Sequence, residues 1–117
     1  MELFNPPKRP IKIKLLNIEH KGFNAIVSYR ATYTDNSTKT IQTNVKRLNT
    51  LSLYPSEPHI IKTKFLGKVQ CGVFHRDVRC LFIVKFSDYT VDLIQTKAGT
   101  SSNSDLWAMS FNREASI

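Results

Sequence analysis

Lysines recur at alternate positions in two parts of this chain, Lys12 and Lys14 near the start and Lys62, Lys64 and Lys68 past the middle. Alternate residues of a β-strand share one face and lie about 6.5–7 Å apart, close to the phosphate spacing of a single nucleic-acid strand. Strand-borne lysines at that spacing form a track for a polyanion. Arg30, Arg79 and Lys85, expected on the outward faces of the strands that follow, would widen such a track. Tyr89, with Phe23 and Phe74 at or beside turns, would offer ring faces to unpaired bases. The same alternation also keeps exposed strands soluble and discourages edge pairing. Both uses fit the overall charge, in which 17 Lys and Arg against nine Asp and Glu give a net +8. Such a field attracts nucleic acid, an anionic membrane or an acidic protein surface.

Other chemistry is sparse. Cys71-x3-His75-x4-Cys80 invites a zinc reading, but zinc sites usually pair ligands at short spacing and need a fourth, for which only His59 or His20 remains. A tight turn at His75-Arg76 sets Cys71 opposite Cys80. The pair then reads as two neighbouring buried thiols, or as a cross-strand disulfide in an oxidising compartment. His20, His59 and His75 fall near turns or strand ends without triad companions. With four glycines and no phosphate-cradling loop, paired-carboxylate signature or nucleophile elbow, the chain offers no catalytic residues. No enzyme activity, metal or cofactor is expected.

These residues are carried by a pattern that occurs twice. Phe86-Ser-Asp-Tyr-Thr-Val-Asp-Leu-Ile-Gln-Thr96 repeats Tyr33-Thr-Asp-Asn-Ser-Thr-Lys-Thr-Ile-Gln-Thr43 with a shift of 53 residues. Ile61-Lys-Thr-Lys-Phe-Leu66 echoes Ile11-Lys-Ile-Lys-Leu-Leu16 with a shift of 50. Apolar residues alternate over about 11–19, 23–34 and 39–45, and again over 60–74, 78–86 and 90–96, as half-buried strands do. Turns fall at Lys21-Gly22, at Asp35-Asn36-Ser37, at His75-Arg76 and at Ser87-Asp88-Tyr89. A phase break at Leu15-Leu16 reads as a bulge, and Gly67 marks a bend or a second bulge. Strand 78–86 is apolar on both faces, which places it in the middle of a sheet covered on both sides, with 105–111 as the covering segment. Val45, Leu48 and Leu51 fit one or two helical turns before Pro55 and Pro58.

The expected fold is therefore all-β, with room for one or two short helices. Two three-stranded antiparallel meanders would pack as a pseudo-twofold sandwich or barrel of six to seven strands. A Pro-rich basic arm occupies residues 1–10, and residues 11–117 form one domain of two repeats, about 11–58 and 59–111. The order of elements is similar, at the level of fold alone, to small single-strand-binding folds built from β-sheet repeats. The N-terminal residues lack the apolar core of a signal peptide, and no window approaches a membrane span of about 18 apolar residues. The expectation is an intracellular protein, cytoplasmic or nuclear, without a membrane partner. Its expected role is non-enzymatic binding of single-stranded or non-specific nucleic acid through the Lys-bearing strands. The alternative is a protein-interaction module that docks an acidic surface or a sheet edge, and self-association through sheet edges belongs with it.

Overall fold

The computed structural model describes residues 9–50 and 59–99. Within them six strands run in chain order: β1 (Lys12–Lys21), β2 (Asn24–Thr32), β3 (Thr38–Asn44), β4 (Ile60–Cys71), β5 (Asp77–Phe86) and β6 (Val91–Lys97). They form two antiparallel three-stranded sheets, sheet A in the order β1-β2-β3 and sheet B in the order β4-β5-β6. The sheets pack on one another as the expected two-layer sandwich, and among the described residues no closed barrel forms. Where one or two helical turns are expected after β3, the structure has a single three-residue 3₁₀ turn at Val45–Arg47, capped by the Asn44 side chain, with Val45 and Leu48 buried. The Leu51 portion of that expectation, like the arm over 1–8 and the covering segment 105–111, lies outside the described residues.

The repeat seen in the sequence is repeated in backbone detail. In the first hairpin the Asn36 amide donates to Tyr33 O (2.9 Å), and the Tyr33 amide donates to Ser37 O (2.9 Å). In the second, the Tyr89 amide donates to Phe86 O (2.9 Å) and the Phe86 amide to Thr90 O (2.8 Å). Asp35 Oδ1 accepts from the Ser37 amide at 3.0 Å, as Asp88 Oδ1 does from the Thr90 amide at 3.1 Å. Asn36 and Tyr89 both take φ 66°. Each loop is the three-residue hairpin that needs one left-handed residue, and the aspartate fixes it locally. The first strands match as well. The pairing slips between Leu15 and Asn17 in β1 and between Phe65 and Gly67 in β4, so Leu16 and Leu66 are the extra residues of equivalent bulges.

Each sheet has a front, bearing Tyr29 or its equivalent Phe82, and a back, bearing Arg30 or its equivalent Ile83. One continuous core joins Ile13, Val27, Tyr29 and Ala31 from the front of sheet A to Val69, Leu81, Ile83 and Leu93 from the back of sheet B. The copies therefore meet front to back, which is not the face-to-face relation a strict twofold would give. The front of sheet B buries a second cluster, Cys80, Phe82, Val84, Phe86 and Ile94. Strand β5, central and apolar on both sides, is thus buried on both, as its sequence predicts. Each fully buried side chain of this size contributes about 1.5–3 kcal/mol.

The cysteines do not pair. The turn after β4 is longer than a tight His75-Arg76 turn: Gly72 takes φ 81°, a 3₁₀ turn follows over Val73–His75, and Cys71 ends opposite Asp77. Cys80 lies opposite Lys68. The register is offset by three residues from the expected one, an odd number, so Cys71 faces the core between the sheets and Cys80 faces the front cluster. Both are free and buried, and burial pushes both thiols up from their ordinary pKa. With the two sulfurs on opposite faces, Cys71, His75 and Cys80 do not converge on one ion.

Candidate nucleic-acid interface

The back of sheet A is the open face of the sandwich. Pairing builds it in rows: Lys12 with Thr32 and Thr38, Lys14 with Arg30 and Thr40, then Ser28 with Gln42. Toward the other end come Glu19 with Ile26 and Asn44, then Lys21 with Asn24. Lys12, Lys14, Arg30 and Lys21 are all exposed. Lys14 and Arg30 are direct cross-strand partners, and among the described residues neither has an ion-pair partner. Like charges set opposite one another weaken a sheet, so this row is tolerated at some cost in stability. The one acid on the face, Glu19, stands 4.0 Å from Lys21 in a pair exposed to solvent.

The same face holds a shallow groove of about 390 Å³ lined by Lys21, Ile26, Gln42, Thr43, Asn44 and Arg47. Gln42 Nε2 donates to Ser28 Oγ (3.3 Å) and Asn44 Oδ1 accepts from the Lys46 amide (3.1 Å). Gln42 also carries a carbonyl oxygen that can accept, and Asn44 an amide group that can donate. Two cations, two carboxamides and one apolar side chain suit a ligand with a phosphate and a polar ring.

The remaining predicted site residues do not join this face. The bulge at Leu66 turns the strand over between Lys64 and Lys68. Lys62 and Lys64 consequently share the back of sheet B with Lys85 and Ile83, while Lys68 projects from the front beside Cys80 and Thr96. The expected single track of Lys62, Lys64 and Lys68 is therefore split across both faces. Lys62 sits opposite Lys85, whose Nζ lies 5.3 Å from the Tyr89 ring centroid, and Tyr89 itself is exposed at its turn. This is a smaller second cluster at the margin of the sandwich.

Arg79 is not outward-facing and is already engaged. Its guanidinium donates to both oxygens of Asp77 (2.8 and 2.9 Å) and to Gln95 Oε1 (3.1 Å). Lys46 reaches the same carboxylate at 3.4 Å. The hydrogen bonds from Arg79, aided by the two nearby positive charges, hold the Asp77 carboxyl below its usual range. Arg79 fastens the β4–β5 end of the sandwich. At the opposite end, Arg9 stacks over Phe86 (4.2 Å) and pairs with Asp88 (3.2 Å), and Val91 N donates to Pro10 O (2.8 Å). The last two residues of the basic arm are thus docked.

Sequence reasoning missed Lys21, Gln42, Asn44 and Arg47. Their signal was weak because none belongs to a run of alternating lysines; they meet only through the pairing of three strands. No protein-family model, curated protein or solved structure matches this chain.

Proposed function

We propose that this protein is a non-enzymatic module that binds nucleic acid through the back of sheet A. One observation carries the reading. Lys14 and Arg30 are placed side by side and exposed, at the centre of a face with polar neighbours, and among the described residues they have neither an ion-pair partner nor a covering layer. A polyanion relieves that repulsion, and phosphates are the anions spaced to meet lysines on alternate strand residues. Lys12 and Lys21 extend the positive line along β1, and Arg47 flanks the groove. The roles first given to Lys62, Lys64 and Lys85 become those of an accessory cluster. Arg79 and Lys68 have none at this surface.

A salt titration of binding to a labelled oligonucleotide tests this. Phosphate contacts require affinity to fall steeply with salt. Replacing Lys14 and Arg30 together by Glu is expected to abolish binding at low salt, while Lys68→Glu leaves it nearly unchanged. Absence of binding by the unaltered protein at low salt would end the reading. Capture of acidic polypeptide in preference to oligonucleotide would move it to the protein-interaction alternative. That alternative is favoured by sheet A's edge strands β1 and β3, which have no outer strand partner among the described residues.

A further inference from the structure

Three of the exposed large apolar residues gather at one end of the sandwich: Phe23 (63% exposed), Val73 (59%) and Phe74 (79%). They sit on the β1–β2 and β4–β5 turns, and the two turns are tied to each other. The Gly72 amide donates to Phe23 O at 2.7 Å, and the His20 and His75 rings meet edge-on with centroids 6.2 Å apart. Phe74 and His75 are consecutive non-glycine residues with φ 57° and 55°. L side chains avoid that left-handed conformation, so the contacts around it must hold it. Gly72 has its own constraint: a Cβ there would stand 3.1 Å from Asp77 Cβ, at φ 81°. Held this way, the Phe74 ring projects into solvent, with the Arg76 guanidinium 5.7 Å from its centroid.

The tip continues the basic face. Lys21 lines the back-face groove and is also the last residue of β1 before the Gly22-Phe23 turn. Around the tip the positive groups Lys21 and Arg76 are exposed, Lys21 in a solvent-exposed pair with Glu19 at 4.0 Å, while Asp77 is already held by Arg79 and Lys46. A chain of phosphates running along β1 would arrive at these rings with its bases in reach. Exposed ring faces beside a phosphate track are the arrangement that recognises unpaired bases. We infer that Phe74 and Phe23 form a stacking platform for unpaired bases, which makes the interface selective for single-stranded over duplex nucleic acid. The inference rests on the proposed nucleic-acid reading and adds to it the state of the strand.

The test compares a labelled single-stranded oligothymidylate with a duplex of equal length, using the full chain and the variants Phe74→Ala, Phe74→Leu and Phe74→Tyr. Phe74→Ala is expected to weaken single-strand binding by about 5- to 100-fold, the effect of losing one stacked base. It should leave duplex binding and the salt slope unaltered, because no phosphate contact is lost. Phe74→Leu should resemble Phe74→Ala, and Phe74→Tyr should restore affinity. Single-strand affinity of Phe74→Ala within about twofold of the unaltered protein, well below the stacking effect, overturns the inference. So does loss of binding to anionic phospholipid vesicles with oligonucleotide affinity intact, which would make the tip a membrane contact. Failure of the underlying reading looks different: Lys14→Glu/Arg30→Glu would then bind oligonucleotide as tightly as the unaltered protein.

Discussion

The two copies of the repeat agree on their fronts and disagree on their backs. Tyr29 and Phe82, Val27 and Cys80, and Ile41 and Ile94 occupy equivalent front positions, and both fronts contribute to buried clusters. On the backs, Arg30 stands where sheet B has Ile83, Ser28 where it has Leu81, and Thr40 where it has Leu93. The backbone frame, with its bulges at Leu16 and Leu66 and its aspartate turns, is common to both copies. What differs is what the back must meet. The part of sheet B's back that lies under sheet A, with Leu81, Ile83 and Leu93, is apolar, and its lysines Lys62, Lys64 and Lys85 stand at the margin; the back of sheet A meets solvent and is basic.

The sharpest way to break this comparison is to exchange residues between the copies. Ile83→Arg places an unpaired charge in the core and is expected to cost more than about 4 kcal/mol, enough to unfold a domain of this size in a denaturant titration. The reciprocal Arg30→Ile should change stability by no more than about 0.5 kcal/mol, since it removes a like-charge neighbour from an exposed row. It should nevertheless weaken oligonucleotide binding. Equal stability effects from the two exchanges would mean that the backs are not differently employed.

A smaller effect follows from the ion pair that sheet B alone possesses. Asp77 and Arg79 correspond to Asn24 and Ile26 in sheet A. Asp77→Asn should lower stability by about 1 kcal/mol near neutral pH, allowing for partial exposure of the pair. Because the folded carboxyl is held below its ordinary value, its stabilisation is present above the unfolded pKa of about 3.9. It is lost as pH falls through the lower folded value. Acid titration of unfolding should therefore show a shallower loss in Asp77→Asn. The smallest difference concerns the matched turns. Asp35→Ala and Asp88→Ala each remove the loop's side-chain acceptor, at about 0.5–1 kcal/mol. Asp88→Ala should in addition release Arg9, which Asp88 pairs at 3.2 Å, and thermal unfolding reads both substitutions.

The strands, both hairpin aspartates and the doubly buried β5 were legible because each leaves a local signature: alternation, a turn residue, or apolar residues on both phases. The turn-over of β4 was not. A bulge normally reveals itself by moving apolar residues out of phase, as at Leu15-Leu16. In β4, Phe65 and Val69 are both apolar although they face opposite ways, since sheet B is buried on both sides, and the alternation runs on unbroken across the bulge. That concealment misplaced Lys68 relative to Lys62 and Lys64. The cysteine register failed for a related reason. A left-handed Phe74-His75 carries no sequence mark of the kind that Asn or Gly gives, so the longer turn was invisible. Among the basic residues, Lys12, Lys14 and Arg30 were read correctly as outward-facing because sheet A has one wet face and a plain alternation.

The most direct test of the central claim is an amide chemical-shift titration of the folded protein with single-stranded oligonucleotide. The back of sheet A predicts the largest shifts at Lys12, Lys14, Arg30, Thr40 and Lys21, continuing to Phe74, with Ile83 and Leu93 unmoved. Shifts confined to β4–β6 and the Lys62–Lys85 cluster, with Lys14 and Arg30 silent, would contradict it.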